Sequence, residues 1–97
     1  MDEARLRAEV CKLADSLSLL WHYCRDSRLC TGPDGLTDLV IVGRRGHLFA
    51  ELKAGGTLSK GQQAWRDALL ASGAPWRLWQ PADWITGRIR AELQSIA

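Results

Sequence analysis

The chain has 97 residues, 46% of them hydrophobic, 25% charged and 7% aromatic, with thirteen Lys/Arg against eleven Asp/Glu for a formal charge of +2. Such a length makes one small α/β-sized domain, residues 1–97, and the near-neutral balance neither demands nor excludes nucleic acid. No apolar run reaches the roughly eighteen residues of a membrane span, and no basic-then-apolar leader is present, so neither a membrane anchor nor secretion is expected. A chain this short buries a modest part of its surface, which favours an oligomer. Cys11, Cys24 and Cys30 include no C-x-x-C pair, and only His22 and His47 stand by to join them. Free thiols in a reducing cytoplasm are therefore expected, rather than a disulfide framework or a structural zinc site.

The first element is a helix over 3–19, with Leu6, Val10, Leu13, Ala14 and Leu17 on one stripe and Asp2 as its N-cap. Leu19 to Cys24 reads as a short edge strand, and residues 26–35 as a loop by their Gly, Pro, Asp and Ser content. Residues 37–42 and 47–53 are strands of a hairpin around Gly43-Arg44-Arg45-Gly46. Residues 54–58 form a loop, after which Ser59 caps a helix striped by Gln62, Trp65, Leu69 and Leu70 and closed by Gly73. Trp76 to Gln80 alternates as a fourth strand. Pro81 opens a last helix carrying Trp84, Ile85, Ile89 and Leu93, with Gly87 weakening its middle. The expected order is αβββαβα, a mixed sheet flanked by helices.

The hairpin register decides where the charges meet. With a four-residue loop at 43–46, Val42 faces His47 and Asp38 stands opposite Glu51, their Cβ atoms roughly 4.5–5.5 Å apart. One face then carries Asp38, Val40, Val42, Phe49, Glu51 and Lys53, and the other Leu39, Ile41, Leu48, Ala50 and Leu52. A three-residue loop would instead put Asp38 across from Leu52. Both faces are apolar in the middle, so helices are expected on both. Two carboxylates so close repel, and one takes a proton unless a cation shares them. A hard divalent ion such as Mg²⁺ suits these oxygens, and the Lys53 ammonium on the same face suits an anionic substrate. The same three charges also make an Asp38–Lys53–Glu51 surface ion pair with no chemistry, and the triplet alone favours that reading.

Five segments in order separate them further: Asp26-Ser27-Arg28; Gly35-Leu36-Thr37-Asp38-Leu39-Val40; Leu48-Phe49-Ala50-Glu51-Leu52-Lys53; Leu58-Ser59-Lys60-Gly61-Gln62-Gln63-Ala64-Trp65; and Trp79-Gln80-Pro81-Ala82-Asp83-Trp84. Together they resemble the VRR-NUC family of the PD-(D/E)xK nuclease superfamily, in particular its small phage-encoded members, over nearly the whole chain. The resemblance implies a restriction-endonuclease-like core and a Mg²⁺- or Mn²⁺-dependent DNA endonuclease. It also implies a homodimer acting on branched DNA, Holliday junctions among its repair substrates, in the cytoplasm of a bacterial host. Carried onto this chain, it makes Asp38, Glu51 and the Leu52 backbone carbonyl metal ligands, Lys53 the catalytic lysine and Gln62 a glutamine at the site. The family's first-helix acid falls on Glu3, followed by Arg7 where the family has Gln, and by Val10. Thr37 stands where the superfamily has its Pro, and the literal Pro33-Asp34 lies four residues early, out of register with Glu51.

Glu3 lies on the inward stripe, where an acid needs a partner, yet it also suits a helix N-terminus; both readings stand. Glu9 is rotated about 100° from Val10 and expected to be more solvated. Arg28, Arg44, Arg45 and Lys60 are the expected DNA contacts, with Arg25 and Arg66 near the site in sequence; such cations neutralise phosphates with little sequence reading. Trp65, Trp76, Trp79 and Trp84 are expected to pack, Trp21 to sit near a subunit contact, and His47 to be structural. The alternatives are a non-catalytic DNA-binding domain that keeps the nuclease fold, and a site-specific restriction-like enzyme.

Overall fold

The structure, a computed structural model, describes residues 1–24 and 30–97. The Asp26-Ser27-Arg28 segment, and with it the expectations for Arg25 and Arg28, lie outside the described residues. Helix α1 spans Glu3–Ser16 and buries Leu6, Val10, Leu13 and Ala14. Asp2 caps it, accepting from the Arg5 amide at 2.8 Å. It stops three residues short of the expected end because Ser18 turns left-handed at φ 59°. The Leu19 and Ser18 amides then donate to the Ala14 and Asp15 carbonyls at 2.9 and 3.0 Å, a Schellman ending in which a serine takes the usual glycine position.

Strands β1 (Leu20–Tyr23), β2 (Leu39–Gly43), β3 (Gly46–Leu52) and β4 (Trp76–Trp79) form one sheet in the order β1-β2-β3-β4. The first three run antiparallel, and β4 joins β3 in parallel after the crossover through α2 (Lys60–Ala71), so the sheet is mixed. Val42 pairs with His47, as expected, but Gly43 and Gly46 also pair, so the turn is the two residues Arg44-Arg45 rather than four. The parity of the faces is unchanged.

The expected last helix is two helices, α3 (Pro81–Ile85) and α4 (Arg88–Ile96). Gly87 adopts φ 84° between them, a conformation that stops α3 and lets α4 leave in a new direction. Ile89, Leu93 and Ile96 of α4 join the α1 stripe over Leu39, Ile41, Leu48, Ala50, Leu52 and Trp79 to make the core. The C-terminal end of α4 is held by the hairpin tip. Arg45 donates from its backbone to the Ile96 carbonyl at 2.9 Å and from its guanidinium to the Gln94 carbonyl at 2.7 Å.

Among the described residues, only that face of the sheet is fully covered, which corrects the expectation of helices on both. Helix α2 touches the sheet at β4 and buries none of its residues completely. Over β1 and β2 the second face is met by the 30–37 loop, whose Gly32, Pro33 and Gly35 do not support a helix. Leu20, Val42 and Leu70 are left exposed. The cysteines also depart from expectation: Cys24 and Cys30 form a disulfide, their Cα atoms 6.8 Å apart, and Cys11 alone is free. That pairing depends on how the β1–β2 connection folds back, which the spacing did not reveal, and it removes the argument from free thiols to a reducing compartment. Among the described residues, no helix is long and apolar enough to cross a membrane.

Candidate active site

The open end of the hairpin carries the carboxylates. Carried one residue beyond the Leu39–Ala50 pair, the register sets Asp38 opposite Glu51 on the less covered face. Glu51 is 2% exposed and, among the described residues, the one buried charged group. Asp38 is half-buried, and one of its oxygens, Oδ2, accepts from the Leu52 amide at 2.8 Å, which fixes the carboxylate against the strand. The N–H and C=O of a strand residue leave from the same edge, so the Leu52 carbonyl also faces the β2 side, where Asp38 lies.

Helix α2 supplies the third member. Ser59 and Gln62 form a capping box: the Gln62 amide donates to Ser59 Oγ at 3.1 Å, and Gln62 Oε1 accepts from the Ser59 amide at 2.9 Å. With its oxygen committed to the cap, the Gln62 side chain has its NH₂ group left to turn outward. Nε2 donates to Glu51 Oε1 at 3.0 Å. A local helix-start motif thereby orients a polar group at the sheet.

Burial pushes the Glu51 carboxyl up to about 9, helped by its hydrogen bond to Asp38 and by the negative charges of Asp38 and Glu3, against a smaller opposing pull from the Lys53 ammonium. Glu51 therefore keeps a proton at neutral pH and donates it to Asp38. Lys53 is half-buried one pleat beyond Glu51, its amide on the Trp79 carbonyl at 3.0 Å. Glu3 reaches the same end of the sheet from α1: Oε1 accepts from the Ala54 amide at 3.3 Å while the residue stays exposed in the first helical turn. Glu9, expected to be the more solvated of the two acids, is instead half-buried in a separate groove with Lys12, Trp84 and Arg90, because α3 and α4 pack against that side of α1.

Asp38, Glu51, Lys53, Gln62 and Glu3 thus come together, with Lys60 exposed at the start of α2 nearby. Arg44 and Arg45 do not join them. They sit at the far tip of the hairpin, six residues along each strand, roughly 20 Å at about 3.3 Å per residue. His47 is also at that tip, edge-on to Phe49 with ring centroids 5.8 Å apart. Arg66 pairs with Asp67 at 2.9 Å. Asp34 lies against Gly61 at the start of α2, out of register with Glu51. Trp79 is buried with Nε1 on Glu92 at 2.8 Å, and the Trp21 indole donates to Asp15 at 2.9 Å, tying β1 to α1.

A cavity of about 320 Å³ opens beside Asp38, between the second face of β1 and β2, the 30–37 loop and Trp65 of α2. Nothing in the sequence pattern pointed to it. Trp65 reads as one more stripe residue, and only the folding of the loop onto α2 makes a space there.

A buried carboxyl that keeps its proton beside a second carboxyl group suits replacement of that proton by a hard cation. Among the described residues, no group of three or more His, Cys, Asp or Glu side chains is arranged to hold a metal ion. A cation here would rest on Asp38, Glu51, the Leu52 carbonyl and water, a sparse oxygen set of the kind Mg²⁺ accepts. Comparison with family models, with curated proteins and with solved structures finds no match for this chain.

Proposed function

We propose that this chain is a metal-dependent endonuclease with a PD-(D/E)xK-type core, hydrolysing phosphodiester bonds in DNA. The observation that carries the reading is the Asp38–Glu51 carboxyl pair, held by Leu52 and Gln62, with Lys53 on the same face. An ion pair on a surface would not bury one acid almost completely and leave it protonated beside another. Mg²⁺ or Mn²⁺, when bound, supplies a water of lowered pKa and neutralises charge on a phosphate oxygen. Asp38 and Glu51 hold that ion in ionised form, Asp38 kept in place by the Leu52 amide. Gln62 fixes the Glu51 carboxylate through one oxygen and leaves the other free. The Lys53 ammonium stabilises negative charge developing on the reacting phosphate. Glu3 acts from a distance on the charge of Glu51 and is a positioning residue.

With no further base-reading segment among the described residues, selection by DNA shape fits better than selection by sequence, and branched DNA such as a Holliday junction is the substrate class. A homodimer would account for the cutting of two strands. A bacterial cytoplasm is what the phage-type resemblance of the sequence implies, and the Cys24–Cys30 disulfide lends it no support. The second reading is a DNA-binding domain without cleavage. What favours it is that, among the described residues, no third acid joins Asp38 and Glu51 as a possible metal ligand.

Four-way, flap, nicked and linear duplexes incubated with Mg²⁺ or Mn²⁺ separate the readings. Wild-type cleavage of branched DNA that Glu51→Ala abolishes supports the enzyme. Binding without cutting supports the alternative, and cutting of linear duplex at one sequence removes the shape-selective account.

A further inference from the structure

The cavity beside Asp38 has no part in the hydrolytic reading, and its walls are built. Its floor is Val40, on the face it shares with Asp38, with His22 across the β1–β2 pair. Pro33 and Leu36 form the loop side, and Trp65 forms the α2 side. Three ties hold that loop. Trp65 Nε1 donates to the Pro33 carbonyl at 3.1 Å, and Thr37 Oγ1 to the Leu39 carbonyl at 3.2 Å. Gly35, at φ 106°, approaches so near to Gly61 and Gln62 that a Cβ would overlap their backbone.

The shape and chemistry of the space restrict what enters it. About 320 Å³ suits one flat heteroaromatic group. Its walls are mainly apolar and include an indole, so an uncharged ring with π faces is accepted. Asp34 in its wall disfavours an anionic group inside the cavity. Asp38 borders both this cavity and the carboxylate pair. A ligand that places an anionic ester on the pair and a neutral ring in the cavity therefore has the two within one repeating unit of each other. A nucleotide strand has that form.

We propose that the cavity receives an unstacked nucleobase of the strand whose phosphodiester lies at Asp38 and Glu51. This deepens the nuclease reading and rests on it for the position of the phosphate; the base site is read separately, by binding. Taking a base out of the stack costs least where it is mispaired or already single-stranded. The cavity therefore selects unpaired positions, such as those at a branch point, with little regard for which base is present.

The test uses three short duplexes that differ at one position: a mispaired 2-aminopurine, an abasic residue, and a normal pair. Affinities are measured by fluorescence polarisation in Ca²⁺, which can occupy oxygen ligands, and cleavage is followed in Mn²⁺. The mispaired duplex is expected to bind about tenfold more tightly than the other two, with its 2-aminopurine emission quenched by the Trp65 indole. Trp65→Ala and Leu36→Trp are each expected to bring that ratio near one. Leu36 is an exposed loop position, so the second variant narrows the cavity without removing core packing. Equal binding of the abasic and mispaired duplexes would overturn the base site, because backbone flexibility alone would then explain the affinity. Cutting without the preference leaves the nuclease and removes the base site; the preference without cutting in Mn²⁺ or Mg²⁺ does the reverse.

Discussion

Replacing Glu51 by glutamine removes a titrating proton and keeps the shape of the side chain. In Glu51→Gln, the new amide oxygen still accepts from Gln62 Nε2, and the new NH₂ takes over the donation to Asp38 that the protonated acid makes now. What changes is the response to pH. The folded-state value of Glu51, about 9, lies above its ordinary value of 4.5. The native protein therefore holds a proton that the unfolded chain has released. This contribution to stability is complete below about pH 4.5 and is lost as pH rises toward about 9. While one state holds the proton and the other does not, the loss is about 1.4 kcal/mol per pH unit. Between pH 6 and pH 8 that is about 2–3 kcal/mol, a large fraction of the stability of a small domain. Urea unfolding of the metal-free protein at pH 6, 7 and 8 is expected to show this decline in the wild type and a flat profile in Glu51→Gln. Mn²⁺ is expected to restore the wild type most at pH 8, where it competes with the fewest protons, and to leave the variant nearly unchanged. Identical pH profiles for the two proteins would falsify the shared-proton account of the carboxyl pair.

Three further outcomes follow from other parts of the molecule. Lys53→Ala is expected to lower cleavage of branched DNA by about 10²–10³-fold, while affinity measured by polarisation in EDTA changes only a few-fold; an equal loss in both would make Lys53 a binding residue. Gly35→Ala is expected to cost about 2 kcal/mol or more in urea unfolding, because the left-handed backbone and the overlap with Gly61 act together. Arg45→Ala removes a charge-assisted bond to the last turn of α4 and is expected to cost about 1–2 kcal/mol. If Arg45 contacts DNA instead, the slope of log affinity against log salt falls by about one without a stability change.

The meeting of Asp38 and Glu51 follows from two local facts. Alternation along a strand fixes which side chains share a face, and a tight turn at Arg44-Arg45 fixes which residues face one another. The loop length was overestimated by two residues, yet Gly43 and Gly46 pair across it and preserve the parity. Gln62 was legible for a related reason, since the capping box that starts α2 is a motif within four residues. Glu3 stands exposed rather than on the buried stripe, and its contact with the Ala54 amide, 51 residues away, needs α1 to be docked.

Short-range rules were enough for the order of the elements from α1 to β4, the hairpin register, the Asp2, Ser59 and Gly73 helix boundaries, and the acids that share a pleat. They act over a few residues of covalent chain, so sequence neighbours carry all the information they need. Tertiary structure decided the rest. It left one sheet face partly open, joined Cys24 to Cys30, split the last helix at Gly87, tied Arg45 to α4 instead of to the site, and folded the 30–37 loop onto Trp65 to leave a cavity beside Asp38. Each of these depends on how distant segments compete for the same surface, and that competition is settled only when the whole chain packs.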